Sequence, residues 1–224
     1  PDGDGPAVIV DPGPLENGHL DEVAALGPIA AIVLTHGHFD HGECAPRLHE
    51  LTGAPVIARD PELCIAAEPI PDRPGRSALA GLEWLTVLTP GHSSDSVSFV
   101  LSSDRALLTG DTILGRGTAV IAHPDGHLGD YLDSLQRLRD IADGDIEVVL
   151  PGHGPVVHRP VEVLDYYLAH RAERLDQVRA ALAAGDADED AVVRRVYADV
   201  DESLWPHALL SVRAQLDYLR DNSG

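Results

Sequence analysis

Short apolar runs alternate with polar loops rich in Gly and Pro over residues 7–157. Apolar runs of this length that stop at turn residues are typical of buried strands, and longer stretches with apolar residues three or four apart are typical of helices. Residues 60–77, rich in Pro, Asp and Arg, predict a loop with one helical turn. The pattern therefore predicts strands at 7–10, 29–34, 55–58, 84–88, 97–101, 106–109 and 147–150, and helices at 20–26, 44–51 and 128–141.

The pattern changes after residue 158, where the chain becomes helical and more polar. One long helix is predicted over residues 161–184, and two shorter helices over 191–198 and 203–219. We therefore predict an α+β domain over residues 1–158 and a small helical domain over residues 159–224.

Four of the predicted strands end in loops that carry His or Asp. Functional residues concentrate in loops that leave a rigid scaffold, so loops that leave a common sheet edge would bring these side chains together. Imidazole and carboxylate groups are suitable ligands for Zn, Mn or Fe. The candidate ligands are His36, His38, Asp40, His41, His92, Asp111 and His153.

The spacing within the first of these loops suggests two ions. Alternate residues of an extended segment point to the same side, so His36 and His38 can reach one ion, while Asp40 and His41 can reach a second. His92 and His153 could complete one ion each, and Asp111 could bridge both because a carboxylate has two oxygens. A lone His is more often a surface or core residue, and that interpretation is kept for His19, His49, His123, His127, His158, His170 and His207.

The segment Thr35-His36-Gly37-His38-Phe39-Asp40-His41-Gly42 resembles the metal-binding motif of the metallo-β-lactamase superfamily. Pro90-Gly91-His92, Gly110-Asp111 and Pro151-Gly152-His153-Gly154 match its later motifs in order, and Val10-Asp11-Pro12-Gly13 resembles its early turn. The resemblance implies a four-layer αββα sandwich with the metals at one sheet edge. It further implies that His36, His38 and His92 hold one ion, that Asp40, His41 and His153 hold the other, that Asp111 binds both, and that Asp11 orients a ligand.

Within the superfamily, the segments around Asp111 and His153 are most similar to the beta-lactamase-like protein 2 group. This resemblance implies a winged-helix-like C-terminal domain and raises metal-dependent cleavage of single-stranded RNA as one activity. It also leads us to expect one or two further strands before the strand at residues 7–10, so either these strands lie outside the present sequence or the first sheet is incomplete.

These features predict a zinc-dependent hydrolase in which a hydroxide shared by two divalent ions attacks an ester, a thioester or a phosphodiester. Asp40 would bind metal and orient this nucleophile, and Arg116 would hold an anionic group of the substrate. One alternative is an endoribonuclease that acts on single-stranded RNA. Another is a metal-binding scaffold without turnover, whose C-terminal helices form a homodimer interface.

Composition and charge limit the kinds of binding partner and the cellular compartment that we expect. The formal net charge of −21 opposes binding to the phosphate backbone of duplex DNA. No apolar run approaches the roughly 20 residues of a membrane helix, so no membrane association is expected. Two cysteines are too few for a disulfide framework, and we expect a cytoplasmic protein.

Overall fold

Two β-sheets pack face to face in the computed structural model, which describes residues 5–16, 18–186 and 188–222. The strands are β1 Ala7–Val10, β2 Ile29–Val33, β3 Val56–Ile57, β4 Gly75–Leu79, β5 Leu82–Leu88, β6 Val97–Leu101, β7 Ala106–Gly110, β8 Val148–Pro151 and β9 Val157–His158. The α-helices are α1 His19–Ala24, α2 Phe39–Gly42, α3 Ala45–Thr52, α4 Leu128–Ala142, α5 Pro160–Ala183, α6 Glu189–Val196 and α7 Trp205–Asp221. Two 3₁₀ turns lie at Pro61–Leu63 and Glu202–Leu204.

The first sheet has the order β1-β2-β3, and its strands are parallel. Side chains alternate along β2: Ala31 and Val33 face the second sheet, whereas Ile32 packs toward α3 together with buried Leu48. Both faces of the strand are therefore covered, which explains why its sequence is an unbroken apolar run.

The second sheet has the order β4-β5-β6-β7-β8-β9 and is antiparallel except for the parallel pair β7 and β8. The chain crosses between those two strands through α4. Leu107 packs beneath α4 with Leu135 and Leu138, while Leu108 on the opposite face contributes to the core between the sheets. The layers are thus helix, sheet, sheet and helix, which confirms the predicted αββα sandwich.

Helix α5 contributes to two apolar cores. Leu164 and Tyr167, in its first half, pack into the cluster beneath α4. Val178 and Ala181, in its second half, pack against α6 and α7. The domain boundary at residue 158 stays a prediction, because the helix that follows it belongs to both cores. No helix of the described ranges is long and apolar enough to cross a membrane.

Two strands were missed by the sequence analysis. Strand β4 lies within and beyond the predicted loop 60–77, and its exposed sequence has no apolar alternation because β4 is an edge strand. Ala80 and Gly81 join β4 to β5 with positive φ angles of 54° and 82°, the conformation of a tight hairpin turn. Strand β9 has only two residues and was likewise not predicted.

The four strands with functional loops belong to two sheets, and the sheets meet at Thr35. Thr35 follows β2, and its carbonyl oxygen accepts a hydrogen bond of 2.8 Å from the backbone N–H of Val97 in β6. Gly110 in β7 lies against the same residue, and a Cβ atom there would overlap the Thr35 hydroxyl. Gly110 also has a φ of +49°. A residue without a side chain is therefore needed where β7 reaches the first sheet.

We expect Gly110→Ala to destabilise the metal-free protein more than Gly53→Ala. Both glycines have positive φ, so each substitution costs about 1–2 kcal/mol of backbone strain. Only Gly110 would bring its new methyl group against Thr35, since nothing lies within 4 Å of a Cβ at Gly53. This overpacking adds about 1–3 kcal/mol. Urea unfolding of both variants measures the difference, and equal losses would show that the close approach of the sheets is unimportant.

Candidate metal centre

The seven predicted side chains come together where the two sheets meet. The first four lie on the segment that leaves β2 and enters α2, so they come from the first sheet. The other three follow β5, β7 and β8 of the second sheet. These three strands run in the same direction, and their carboxyl ends therefore share one sheet edge. Sequence analysis identified the convergence correctly but did not foresee that both sheets contribute.

His36, His38 and His92 form the first group, and their ligand atoms all lie within 4.8 Å of one another. His38 Nδ1 lies 3.0 Å from His36 Nε2 and 3.0 Å from His92 Nε2. Tetrahedral zinc with typical Zn–N bonds places its nitrogen ligands about 3.3 Å apart. Both distances are close to the spacing that two ligands of one such ion would have.

Asp40, His41 and His153 form the second group. His153 Nε2 lies 2.9 Å from Asp40 Oδ2 and 3.2 Å from His41 Nε2. This group is more open than the first, since the side chains of His153 and Asp40 are 48% and 35% exposed. Two members of the second group are thus open to solvent, whereas His36 and His92 of the first group are buried.

Asp111 lies between the two groups. Its Oδ2 atom is 3.7 Å from His92 Nε2 and 3.6 Å from His153 Nε2. Its Oδ1 atom is buried, lies 3.4 Å from His41 Nε2 and makes no hydrogen bond of good geometry with any described residue, which is costly unless another partner binds it. Burial alone would raise the pKa of Asp111, but His41 outweighs this effect and lowers it, so the carboxylate is ionised.

Gly152 lies so close to Asp111 and His41 that no side chain fits at this position. A Cβ atom at Gly152 would lie 2.5 Å from His41 Cε1 and 2.7 Å from Asp111 Oδ1. Glycine before His153 therefore lets two ligand-bearing turns approach closely. The donor set, the buried carboxylate oxygen without a hydrogen bond and this close approach all fit a site for divalent metal ions.

Asp11 fixes the orientation of His41. Its Oδ1 accepts a hydrogen bond of 2.7 Å from the Thr35 backbone N–H, and its Oδ2 accepts one of 2.7 Å from the Thr35 hydroxyl. The same Oδ2 lies 2.9 Å from His41 Nδ1, so this nitrogen carries the proton and Nε2 faces the second group. Asp11, His36 and His41 are also close enough to form a third group, but the oxygens of Asp11 are already occupied by these donors.

The electrostatic environment shifts the pKa values of the buried His36 and His41 in opposite directions. Burial and the neighbouring imidazoles lower the pKa of His36 to about 2, so this ring is neutral. Burial also acts to lower the pKa of His41, but the carboxylates of Asp11 and Asp111 raise it to about 10 in the metal-free protein. A neutral imidazole is the form that binds metal, and His36 is in that form without further change.

Two further contacts orient the first group, and sequence analysis missed both. Since the Thr35 hydroxyl donates to Asp11, it accepts from His36 Nδ1 at 3.0 Å and leaves Nε2 for the site. His92 Nδ1 donates to the carbonyl oxygen of Val120 at 2.9 Å, with the same effect. The position of Thr35 directly before the motif was a usable signal, whereas a backbone carbonyl leaves none in the sequence.

Arg116 lies on the segment that follows Asp111 and is exposed. The preceding Gly115 donates its backbone N–H to the carbonyl oxygen of His153 at 2.8 Å, which holds this segment beside the second group. Arg116 forms no ion pair with any residue in the described ranges. In a chain of such negative charge, an unpaired cation next to the site is notable.

Known proteins resemble the chain over nearly its whole length. A beta-lactamase-like protein 2 homolog from Caenorhabditis elegans is 30% identical over 227 residues, which cover 95% of this chain and 74% of that protein. An atrochrysone carboxyl ACP thioesterase from Aspergillus fumigatus is 32% identical over 161 residues, or 69% of this chain and 47% of the thioesterase. The crystal structure of a metallo-beta-lactamase family protein from Thermus thermophilus superimposes with a TM-score of 0.81 at 22% identity, covering 99% of this chain and 87% of that one.

Two family models match separate parts of the chain. The beta-lactamase associated winged helix domain matches residues 189–222, which include α6 and α7. The model of the metallo-beta-lactamase superfamily matches residues 2–153, a range that includes all seven candidate ligands. The chain therefore belongs to the metallo-beta-lactamase superfamily.

Proposed function

We propose that this chain is a binuclear metal-dependent hydrolase. The observation that carries the proposal is the position of Asp111, whose Oδ2 lies within 4 Å of a histidine of each group. A purely structural site has no need for a second, solvent-facing group of ligands. In the proposal, one ion is held by His36, His38 and His92, the other by Asp40, His41 and His153, and Asp111 binds both.

The bound ions would supply Lewis acidity and a hydroxide nucleophile at neutral pH. The residues of the chain supply the rest. Asp11 and Thr35 hold His41 and His36 in the tautomers that present Nε2. Asp40, which is partly exposed and 2.9 Å from His153, would help to hold an ion of the second group and to orient the nucleophile. Burial of His36 and His92 limits the access of water to the first group.

Zinc is the metal we expect, although nitrogen and carboxylate ligands also suit manganese and iron. Both cysteines are free thiols, which supports a reducing compartment such as the cytoplasm. None of the three clusters found in the described residues contains a cysteine, so no thiolate ligand selects zinc over manganese or iron. Metal analysis of the isolated protein therefore decides this point.

We expect the purified protein to retain two divalent ions per chain after dialysis. His92→Ala and His153→Ala should each reduce this to one ion, because each removes a ligand from a different group. His207→Ala, an exposed histidine on α7, serves as the control and should keep both. Atomic emission spectrometry measures the content and the identity of the metal. Full occupancy in both ligand variants would contradict the assignment.

A thioester is the substrate class we propose. One relative in the superfamily is named as a thioesterase, and the net charge of −21 disfavours a polyanionic substrate. Single-stranded RNA is the second candidate. It is supported by Tyr166, whose ring is 57% exposed and stacks on His170 at a centroid distance of 6.0 Å, since exposed aromatic rings can stack with bases.

A parallel assay with lactoylglutathione and an unstructured RNA separates the two candidates. We expect the zinc-loaded protein to hydrolyse the thioester, and Asp40→Ala to lower its turnover at least ~100-fold. Asp133→Ala, an exposed aspartate on α4, should retain wild-type turnover. Cleavage of RNA alone would transfer the proposal to the second candidate, and turnover of neither by a fully loaded protein would favour a scaffold.

Arg116 is proposed to bind an anionic group of the substrate. Arg116→Ala should raise KM for lactoylglutathione about 10-fold, the effect of losing one hydrogen bond to a charged group. KM for an uncharged N-acetylcysteamine thioester should stay the same. Arg76→Ala removes an exposed arginine from β4 and provides the control for net charge. An equal rise in KM for both substrates would argue against a contact with the anionic group.

A further inference from the structure

The segment that holds His92 is itself held by the C-terminal helix α5. This segment, residues 113–120, ends at the Val120 carbonyl oxygen that accepts the hydrogen bond from His92 Nδ1. We infer that Arg171 and Tyr167 of α5 are positioning residues of the first metal group, acting through this segment. The inference rests on the proposed function, because it assumes that His36, His38 and His92 bind an ion.

Tyr167 fastens the start of the segment. Its hydroxyl accepts a hydrogen bond of 2.9 Å from the backbone N–H of Leu114 and donates one of 2.9 Å to the carbonyl oxygen of Gly117. The ring is 1% exposed and belongs to the core beneath α4. A rigid core residue therefore fixes two backbone groups of an otherwise irregular stretch.

Arg171 fastens its end. Its Nη2 donates to the carbonyl oxygen of Ala119, the residue before Val120. The arginine is only 4% exposed, although a buried charge is costly unless it is well partnered. No carboxylate among the described residues pairs with it, so its visible partners are this carbonyl group and the ring of Tyr131, 5.0 Å from the guanidinium carbon. Burying a guanidinium without a carboxylate partner is unfavourable, which suggests that Arg171 does more than fill space in the core.

Tyr131 extends the same support to the other ligand turns. Its hydroxyl donates to the carbonyl oxygen of Thr112 at 2.7 Å, directly after Asp111. Its backbone packs so closely against Gly91, the residue before His92, that a Cβ atom there would overlap it. Arg171 is therefore linked to His92 by a second, indirect route, through Tyr131 and Gly91.

The same helix provides a matched control in Arg174. This arginine is partly buried, donates to the carbonyl oxygen of Val196 at 2.9 Å, and lies 4.8 Å above the ring of Tyr197. Like Arg171, it contacts one backbone carbonyl group and one tyrosine ring, and it also donates to Gln177 Oε1 on the same helix at 2.8 Å. The carbonyl group and the ring, however, lie at the end of α6 and not in residues 113–120.

Titration of the metal-free protein with Co²⁺, followed by its visible spectrum, tests the inference. Wild type should bind in two steps. Arg171→Met should weaken one step about 10-fold or more, as loss of support for a ligand typically does, and leave the other unchanged. Arg174→Met should keep both affinities, even if it lowers the thermal unfolding midpoint as much as Arg171→Met does. Tyr167→Phe, which removes only the hydroxyl, should shift the same step and serves as the milder variant.

Single-site backgrounds identify the affected group. Arg171→Met should weaken Co²⁺ binding when combined with His153→Ala, which leaves the first group, and should not when combined with His92→Ala, which leaves the second. Wild-type affinities in Arg171→Met and Tyr167→Phe would overturn the inference, and so would an equal loss in Arg174→Met. A wild-type protein that binds no Co²⁺ would instead overturn the proposed function, and this inference with it.

Discussion

The hydrogen bonds of the Asp11 carboxylate are the constraint on which the candidate metal centre depends. Three donors meet there: the backbone N–H and hydroxyl of Thr35, and Nδ1 of His41. Asp11 accepts them from a left-handed conformation with a φ of 50°, which is uncommon for a residue other than glycine but tolerated by aspartate. One carboxylate thereby fixes a histidine of each group, His41 directly and His36 through the Thr35 hydroxyl.

Thr35 also joins the scaffold to the chemistry. Its carbonyl group is hydrogen-bonded to the second sheet, its side chain packs against Gly110, and its hydroxyl orients His36. The geometry of the candidate ligands is therefore set by how the two sheets meet, and not by the loops alone. Hydrogen-bonded support of this kind keeps ligating groups in place before any ion binds.

The sequence allowed much of this arrangement to be predicted, because the strong signals were local. Buried strands such as β2 are continuous apolar runs, and the ligands at residues 36–41 fall in one motif. The features that sequence analysis missed either have a weak sequence pattern or depend on contacts between distant parts of the chain. Edge strand β4 has little apolar character, and the assignment of strands to two sheets depends on packing that no local pattern encodes. The Val120 carbonyl oxygen was invisible because any residue supplies one.

The relation between residues 1–158 and 159–224 also depends on packing that a local sequence pattern does not reveal. A change in composition near residue 158 suggests a division, yet Leu164 and Tyr167 of α5 complete the core beneath α4. A helix that only linked two domains would carry polar residues at such positions. Arg171 follows Tyr167 by one turn of that helix and reaches the segment beside His92. Because the apolar contacts of α5 fix its position on the sandwich, Tyr167 and Arg171 can hold residues 113–120, whose last carbonyl group orients His92, in a defined place.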